Sequence, residues 1–162
     1  MAVEIERKFL LGGEPDWSAV RPGSIRRIEF EQVYLRVTEA GEKRIRRRVC
    51  DGRVSYEYAR LTTARDGVRE VEEVEIDGAR YDRLMDDRDD SRHVIRKTRT
   101  TFPWDDRLYE VDHITDPGSR ACWLLEVQVT RPDDAVAIPR FLPVVREVTS
   151  EPAYRNAQIA LG

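Results

Sequence analysis

The fold of this chain is most constrained by its charged residues, which alternate with apolar residues and are grouped by sign on separate segments. Over most of the 162 residues the alternation has a period of two. This period is typical of β-strands, because successive side chains of a strand point to opposite faces. The pattern predicts strands near residues 2–10, 25–37, 43–50, 53–61, 68–76, 93–101, 107–114 and 121–130.

Turn residues separate these predicted strands. Asp51-Gly52 divides two alternating runs and is a strong signal for a two-residue hairpin. Asp66-Gly67 and Pro117-Gly118 mark further turns. Helical spacing is rare and predicts only short helices, over residues 16–20, 79–86 and 153–161. No linker or repeat divides the chain, so we expect a single domain over residues 1–162.

Several predicted strands carry charges of one sign on a whole face. Arg44, Arg46 and Arg48 share one face of their strand, whereas Glu110 and Asp112 share a face of another. Further pairs that share a face are Lys97 with Arg99, Glu73 with Glu75, and Glu126 with Gln128. If these faces simply met water, we would expect mixed signs within each strand. The segregation instead favours a cavity with a cationic wall and an acidic wall.

Closing the predicted sheet would place these charged faces inside a barrel. Eight strands leave room for side chains or one small ligand. A dry interior filled with arginine would be unstable, so it needs water, carboxylates or a bound anion. A polyphosphate with divalent cations would satisfy both walls. The predicted fold is therefore mainly β (α+β), a closed eight-stranded antiparallel β-barrel tunnel with a few short helices.

The first predicted strand combines acidic and basic groups on one face, which holds Glu4, Glu6 and Lys8. Mg²⁺ is commonly held by one or two carboxylates together with phosphate oxygens, and lysine binds phosphate as a point charge. This short pattern also fits an edge strand with a solvated face, so by itself it does not decide between the two.

Composition argues against several other classes of protein. The net charge is −3, from 28 basic and 31 acidic residues, so we expect neither a nucleic-acid partner nor a membrane surface. No apolar run approaches the ~18 residues that span a bilayer, and no signal peptide is recognisable, so we expect a cytoplasmic protein. Cys50 and Cys122 are too few for a zinc site. We expect structural roles for His93 and His113, and no glycine-rich phosphate loop is present.

The order of these segments resembles the CYTH superfamily, the triphosphate tunnel metalloenzymes. Glu4-Ile5-Glu6-Arg7-Lys8 is similar to the signature Glu-x-Glu-x-Lys strand of that family, and Arg44-Ile45-Arg46 to its Arg-x-Arg strand. The resemblance continues, in order, through Gln32-Val33-Tyr34-Leu35, Arg69 with Glu73-Val74-Glu75, Lys97-Thr98-Arg99, Glu110-Val111-Asp112, Leu125-Glu126-Val127, Glu147-Val148-Thr149, Tyr154 and Asn156. It therefore extends over nearly the whole chain.

This resemblance implies a metal-dependent enzyme that acts on triphosphates. Members bind Mg²⁺ or Mn²⁺ and hydrolyse inorganic triphosphate, thiamine triphosphate or nucleoside and RNA 5′-triphosphates, and some make cyclic AMP. The short form without extra domains looks most like the inorganic triphosphatases, which release pyrophosphate and phosphate. The alternatives are a class IV-type adenylate cyclase, a thiamine triphosphatase, a non-catalytic polyphosphate or triphosphate binder, and a plain β-barrel interaction protein. A homodimer is a further option, because exposed apolar strand faces could pair two copies.

The resemblance also implies roles for particular residues. The implied catalytic residues are Glu4, Glu6 and Lys8. The implied substrate-binding residues are Lys8, Arg44, Arg46, Arg60, Lys97 and Arg99. The implied ligands of one or two metal ions are Glu4, Glu6, Glu110, Asp112, Glu126 and Gln128.

The sequence departs from the family pattern at three positions. Arg60 is the nearest candidate where the family often has lysine, and arginine can also bind phosphate. Val71 stands where an earlier glutamate is usual, although Glu70 or Glu72 could replace it after a β-bulge. Gln128 stands in place of a late glutamate and adds no charge. Whether Val71 and Gln128 reduce catalysis is left open by the sequence.

Overall fold

The computed structural model describes all 162 residues, which form nine β-strands and two short α-helices. The strands are β1 Ala2–Leu11, β2 Arg26–Tyr34, β3 Glu42–Cys50, β4 Arg53–Leu61, β5 Val68–Ile76, β6 Ile95–Trp104, β7 Arg107–Asp116, β8 Cys122–Gln128 and β9 Val144–Glu147. The α-helices are α1 Gly78–Leu84 and α2 Asn156–Ile159. Single 3₁₀ turns occur at Trp17–Ala19, Pro22–Ser24, Met85–Asp87, Gly118–Arg120 and Pro152–Tyr154.

Eight of the strands close into an antiparallel barrel. They follow the order β5-β4-β3-β2-β6-β7-β8-β1, and β1 returns to pair with β5. The start of β1 pairs with β5 and its remainder pairs with β8. The short strand β9 adds to the outer part of β1. The predicted closed eight-stranded barrel is confirmed, whereas the ninth strand was not predicted.

The element bounds agree with the alternation pattern, except where neighbouring structure intervenes. β4 and β5 have the predicted bounds. β2 ends at Tyr34, because Leu35 forms only an isolated bridge. β6 continues to Trp104, because a tight turn at Asp105-Asp106, with φ of 50° and 57°, leads directly into β7. The helix predicted over 153–161 is divided into a 3₁₀ turn and α2.

One glycine turn brings the β4–β5 connection against the first strand. Gly67 has a φ of +79°, and an added Cβ would lie 2.2 Å from the carbonyl oxygen of Glu6 and 2.8 Å from Cγ2 of Thr149. The amide of Glu6 donates a hydrogen bond to the Gly67 carbonyl over 3.0 Å. Only glycine combines this φ with so close a backbone approach, so this turn fixes the position of β1 at Glu6.

Most of the apolar core lies outside the barrel, between the strands and the segments that cover them. One cluster contains Phe9, Phe102, Tyr109 and Leu125 on outward faces, and Trp17 packs against it. A second outer cluster is covered by α1. Because these layers stabilise the outward faces, the inward faces can remain polar.

The last residues of the chain close one end of the barrel. Ala157, Ile159 and Ala160 form a buried cluster with the inward-facing side chains Tyr34 and Ile95. Full burial of one large aliphatic side chain stabilises the folded state by roughly 1.5–3 kcal/mol. The C-terminal segment is therefore part of the tunnel wall. No helix in the structure has the length and apolar character needed to cross a membrane.

Candidate functional site

The barrel encloses a charged cavity of about 220 Å³. Strand alternation and closure together direct every second side chain of the participating strands into this space. The charged residues that line it are the basic residues Lys8, Arg44, Arg46, Arg69, Lys97, Arg99 and Arg155 and the acidic residues Glu4, Glu6, Glu42, Glu73, Glu110 and Glu126. Gln128 also lines it. The structure therefore brings together ten of the residues proposed from the sequence; Arg60 and Asp112 are the exceptions.

Asp112 is a buried counterion for two basic residues. Its carboxylate accepts hydrogen bonds from Nζ of Lys97 at 2.8 Å and from Nε and Nη2 of Arg99 at 2.7 Å and 2.9 Å. Burial alone would raise the pKa of Asp112, but Arg99 and Lys97 hold it well below its usual range. Because both oxygens are engaged and the residue does not line the cavity, its expected place among the metal ligands is corrected.

Arg99 connects this buried pair to the acidic side of the cavity. Its Nη1 donates to Glu110 at 2.7 Å and its Nη2 donates to Glu126 at 3.2 Å. Glu110 is therefore held in an ion pair at the cavity wall, and its carboxylate is directed to Arg99. As a metal ligand it would have to leave that pair.

Two arginines of β3 form ion pairs with Glu57, which was not among the predicted site residues. Arg46 donates to Glu57 at 3.0 Å and 2.7 Å and to Glu73 at 2.9 Å, and Arg48 donates to Glu57 at 3.3 Å. A signal for Glu57 was present, because the two-residue turn at Asp51-Gly52 fixes the β3–β4 register and places Glu57 opposite Arg46.

Arg44 is the least compensated arginine that is buried in the cavity. Its nearest carboxylate oxygen belongs to Glu73, at 3.6 Å, and its Nε has no hydrogen-bond partner. Burial and the adjacent charges of Arg46 and Arg69 lower the pKa of Arg44 to about 10. Arg44 therefore stays protonated at neutral pH, and this part of the cavity favours an anion.

The acidic side of the cavity is formed by β1 and β8. Glu4 pairs with Arg69 at 3.1 Å, and Glu126 pairs with Lys8 at 3.3 Å. Glu6 has no ion pair or hydrogen bond to its carboxylate. Burial and the charge of Glu126 raise the pKa of Glu6 to about 7. A divalent cation bound beside Glu6 would offset the unfavourable burial of its negative charge.

The donor set on this side fits a hard divalent ion held by few protein ligands. Glu4, Glu6 and Glu126 present oxygen donors to the cavity, and Gln128 lies opposite Glu6 on β8. No three His, Cys, Asp or Glu residues converge into a preorganised metal cluster. Mg²⁺ commonly keeps water or phosphate oxygens in addition to one or two carboxylates, and the arrangement matches that mode of binding.

Arg60 lies outside the tunnel, and its expected role in phosphate binding is corrected. It pairs with Lys43 in the β3–β4 register, one position out of phase with the inward-facing Arg44. Its side chain is 48% exposed and contacts Glu39 at 3.2 Å. The same two-residue turn that places Glu57 inside would have predicted this outward position.

Val71 faces the barrel interior, where it packs with Ala59 and Leu61. The β4–β5 register is continuous, so the bulge that would turn Glu70 or Glu72 inward is absent. Both glutamates are exposed. The proposed replacement of the usual glutamate by a neighbour is therefore wrong, and the position is apolar.

The C-terminal segment contributes cavity residues that strand patterns could not reveal. Nζ of Lys8 donates to the carbonyl oxygen of Tyr154 at 3.1 Å, and Nζ of Lys97 donates to Oδ1 of Asn156 at 3.1 Å. Arg155, which lies between Tyr154 and Asn156 in the chain, also lines the cavity. Of the seven basic residues that line the cavity, it alone has no carboxylate oxygen within 4.0 Å. Its guanidinium is thus available for a ligand.

Fold and site together define a class of protein: a closed antiparallel β tunnel whose bore carries a cationic wall and an acidic strip. Among solved structures, the inorganic triphosphatase NE1496 is 27% identical, with 100% of this chain and 97% of that chain covered and a TM-score of 0.63. The PH1819 protein from Pyrococcus horikoshii OT3 is 17% identical over 79% of this chain and 78% of that chain, with a TM-score of 0.62.

A protein from Hippeastrum has the same fold at lower similarity. This protein, HpAC1, is described as a putative adenylyl cyclase with a dominant triphosphatase activity; it is 16% identical over 82% of this chain and 81% of that chain, with a TM-score of 0.57. No family model and no curated protein matches the sequence. The structural likenesses show that this chain has the triphosphate tunnel fold of the CYTH superfamily.

Proposed function

We propose that this protein is a Mg²⁺- or Mn²⁺-dependent hydrolase that cleaves inorganic triphosphate to pyrophosphate and phosphate. The observation that carries the proposal is the buried guanidinium of Arg44, whose nearest carboxylate oxygen lies 3.6 Å away on Glu73 and which shares one cavity with the unpaired carboxylate of Glu6. A bound triphosphate would supply the hydrogen-bonded anion that Arg44 lacks. Support also comes from the likeness to inorganic triphosphatase NE1496, which covers nearly the full length of both chains.

The basic wall would bind and orient the phosphate chain. Arg44 and Arg155 have free hydrogen-bond donors, whereas Lys8, Arg46 and Lys97 would share their donors between phosphate oxygens and their present partners. Phosphoryl transfer depends mainly on positioning and charge stabilisation, with little covalent chemistry from the protein. Arginine suits this task because its planar fork can hold two phosphate oxygens together.

The acidic side of the cavity, formed by β1 and β8, would hold the metal. Glu4, Glu6 and Glu126 are the proposed ligands, with the neutral oxygen of Gln128 nearby. A bound divalent cation would supply charge neutralisation of the phosphate oxygens and activation of water. The barrel wall around the cavity would limit the access of bulk water, which strengthens each electrostatic contact with the substrate.

A non-catalytic triphosphate binder is the second candidate. Two neutral residues favour it, because Val71 and Gln128 occupy inward positions where the family pattern has carboxylates. Fewer carboxylates would weaken metal binding without weakening the cationic wall. This candidate predicts tight triphosphate binding without turnover.

The test is a phosphate-release assay with inorganic triphosphate, thiamine triphosphate and ATP, each with Mg²⁺, with Mn²⁺ and with EDTA. We expect metal-dependent release that is fastest from inorganic triphosphate. Glu6→Gln should lose most of this activity while staying folded, and Arg60→Ala, on the outer surface, should retain it. Binding without release would support the binder instead, and a protein that neither binds nor hydrolyses triphosphate would contradict both candidates.

A further inference from the structure

Phe30 lies at the centre of the cationic wall. It is on β2 and pairs with Arg48 of β3 on one side and with Lys97 of β6 on the other. Its side chain is buried, with 6% of the residue exposed. Strand alternation directs it inward, so an uncharged aromatic ring lies between the basic side chains of β3 and those of β6.

Four cationic groups surround this ring. The Cζ atoms of Arg46, Arg99 and Arg48 lie 4.8, 5.5 and 5.7 Å from the ring centroid, and Nζ of Lys97 lies 5.7 Å from it. All four distances fall within the range of cation–π attraction, about 6 Å. No other aromatic ring in the structure has more than one cation at such a distance.

An aromatic ring differs from the other partners of these cations because it carries no net charge. Glu57 and Asp112 attract Arg46 and Lys97 but also neutralise them. The quadrupole of a ring attracts cations to its face and leaves their full charge in place. Phe30 therefore offsets repulsion among four close cations without reducing the positive potential of the wall.

We infer that Phe30 is a positioning residue for phosphate binding, and this inference rests on the proposed function. The ring holds the basic groups of β3 and β6 together in the free protein, so that a phosphate chain meets a preformed wall. Without its attraction, the mutual repulsion of the four cationic groups would move them apart, and ligand binding would have to draw them back together. Such preorganisation raises affinity by reducing the free energy spent on rearrangement.

The aromatic electrons of Phe30, rather than its bulk, carry this role. Replacement of phenylalanine at position 30 by its mono-, di- and trifluorinated forms weakens the ring quadrupole in steps and nearly preserves the shape. The measurement is the affinity of each protein for inorganic triphosphate, by titration calorimetry in EDTA so that no turnover interferes. We expect a stepwise loss that reaches about tenfold for the trifluorinated ring, and Phe30→Leu should lose at least as much.

Phe102 provides the matched control. It is a fully buried phenylalanine in the outer apolar cluster, packed against Trp17, Tyr109 and Phe141. The same fluorinated series at Phe102 should leave triphosphate affinity unchanged, because no cation lies near that ring. Thermal unfolding of every variant verifies that the proteins are folded at the temperature of titration.

The outcomes separate this inference from the function it rests on. A flat affinity series at Phe30, with tight binding by the unmodified protein, would overturn the role of Phe30 and leave the proposed function intact. Equal losses at Phe30 and Phe102 would also overturn it, because they would show a general effect of fluorination. If the unmodified protein binds no triphosphate in EDTA, the inference on Phe30 fails, and phosphate release with Mg²⁺ or Mn²⁺ decides the proposed function separately.

Discussion

The guanidinium of Arg99 donates hydrogen bonds to both carboxylate oxygens of Asp112. Its Nε and Nη2 donate to Oδ1 and Oδ2 at 2.7 Å and 2.9 Å, and Asp112 has no exposed surface. The two-point contact fixes the guanidinium at the wall of the cavity, where its nitrogens also reach Glu110 and Glu126. Asp112 therefore supports the basic wall of the cavity from behind it.

Removing the charge of Asp112 should destabilise the fold. Asp112→Asn leaves the buried Lys97 and Arg99 without their shared counterion, and we expect the free energy of unfolding to fall by about 3 kcal/mol. Glu39→Gln breaks only the exposed pair with Arg60, so its effect should stay within about 1 kcal/mol. Urea unfolding measures both, and equal effects of the two substitutions would contradict the counterion role.

Glu6 should make the stability of the metal-free protein depend on pH. Its pKa is raised from 4.5 to about 7 by burial and by the charge of Glu126. Between these values the folded protein holds a proton that the unfolded chain has released, so the free energy of unfolding should fall as pH rises from 4.5 to 7. The comparison is urea unfolding in EDTA of the wild type and Glu6→Gln, in which this component is absent. Identical pH profiles would show that Glu6 is not the source.

Arg155 should contribute to the affinity for triphosphate. Its guanidinium faces the cavity without a carboxylate partner, and the loss of a hydrogen bond to a charged group typically weakens binding by about tenfold or more. Titration of Arg155→Ala with inorganic triphosphate should show this loss. Arg60→Ala removes an arginine from the outer surface and should bind as the wild type does. Unchanged affinity in Arg155→Ala would remove it from the proposed clamp.

The turn at Gly67 should tolerate no side chain. Alanine there would combine a φ of +79° with a Cβ 2.2 Å from the carbonyl oxygen of Glu6, so Gly67→Ala should lower the free energy of unfolding by more than about 1 kcal/mol. Phosphate release should also fall, because β1 must shift at Glu6. Gly23 has no atom within 4 Å of an added Cβ, and Gly23→Ala should be nearly neutral. A stable, active Gly67→Ala variant would show that the turn can yield without moving Glu6.

The strands and their inward faces could be predicted because they follow from local alternation. Once a segment such as Glu42–Cys50 is a strand, Arg44 and Arg46 must share a face, whatever surrounds them. The turn at Asp51-Gly52 extends this reasoning to the next strand, since a two-residue hairpin fixes which residues are opposite. Applied fully, the hairpin register places Glu57 inside and Arg60 outside from residue spacing alone.

The pairing of charges inside the bore could not be predicted in this way. Asp112 and Glu6 are both acidic residues on inward faces, yet Asp112 lies between two cations and Glu6 has no partner. Which carboxylate meets which cation depends on the curvature of the closed barrel and on side-chain reach across strands. Neither quantity is encoded in the spacing of residues along one strand.

The sequence by itself determined the strands, the inward position of most charged side chains and the need for a closed barrel, because alternation and turn length act over a few residues. Only the tertiary structure decided that Arg155 lines the cavity, that four cationic groups lie around the ring of Phe30 and that the carboxylate of Glu6 has no ion pair. These features arise from contacts between segments far apart in the chain, and such contacts form only when the barrel closes and the last residues fold back across its end.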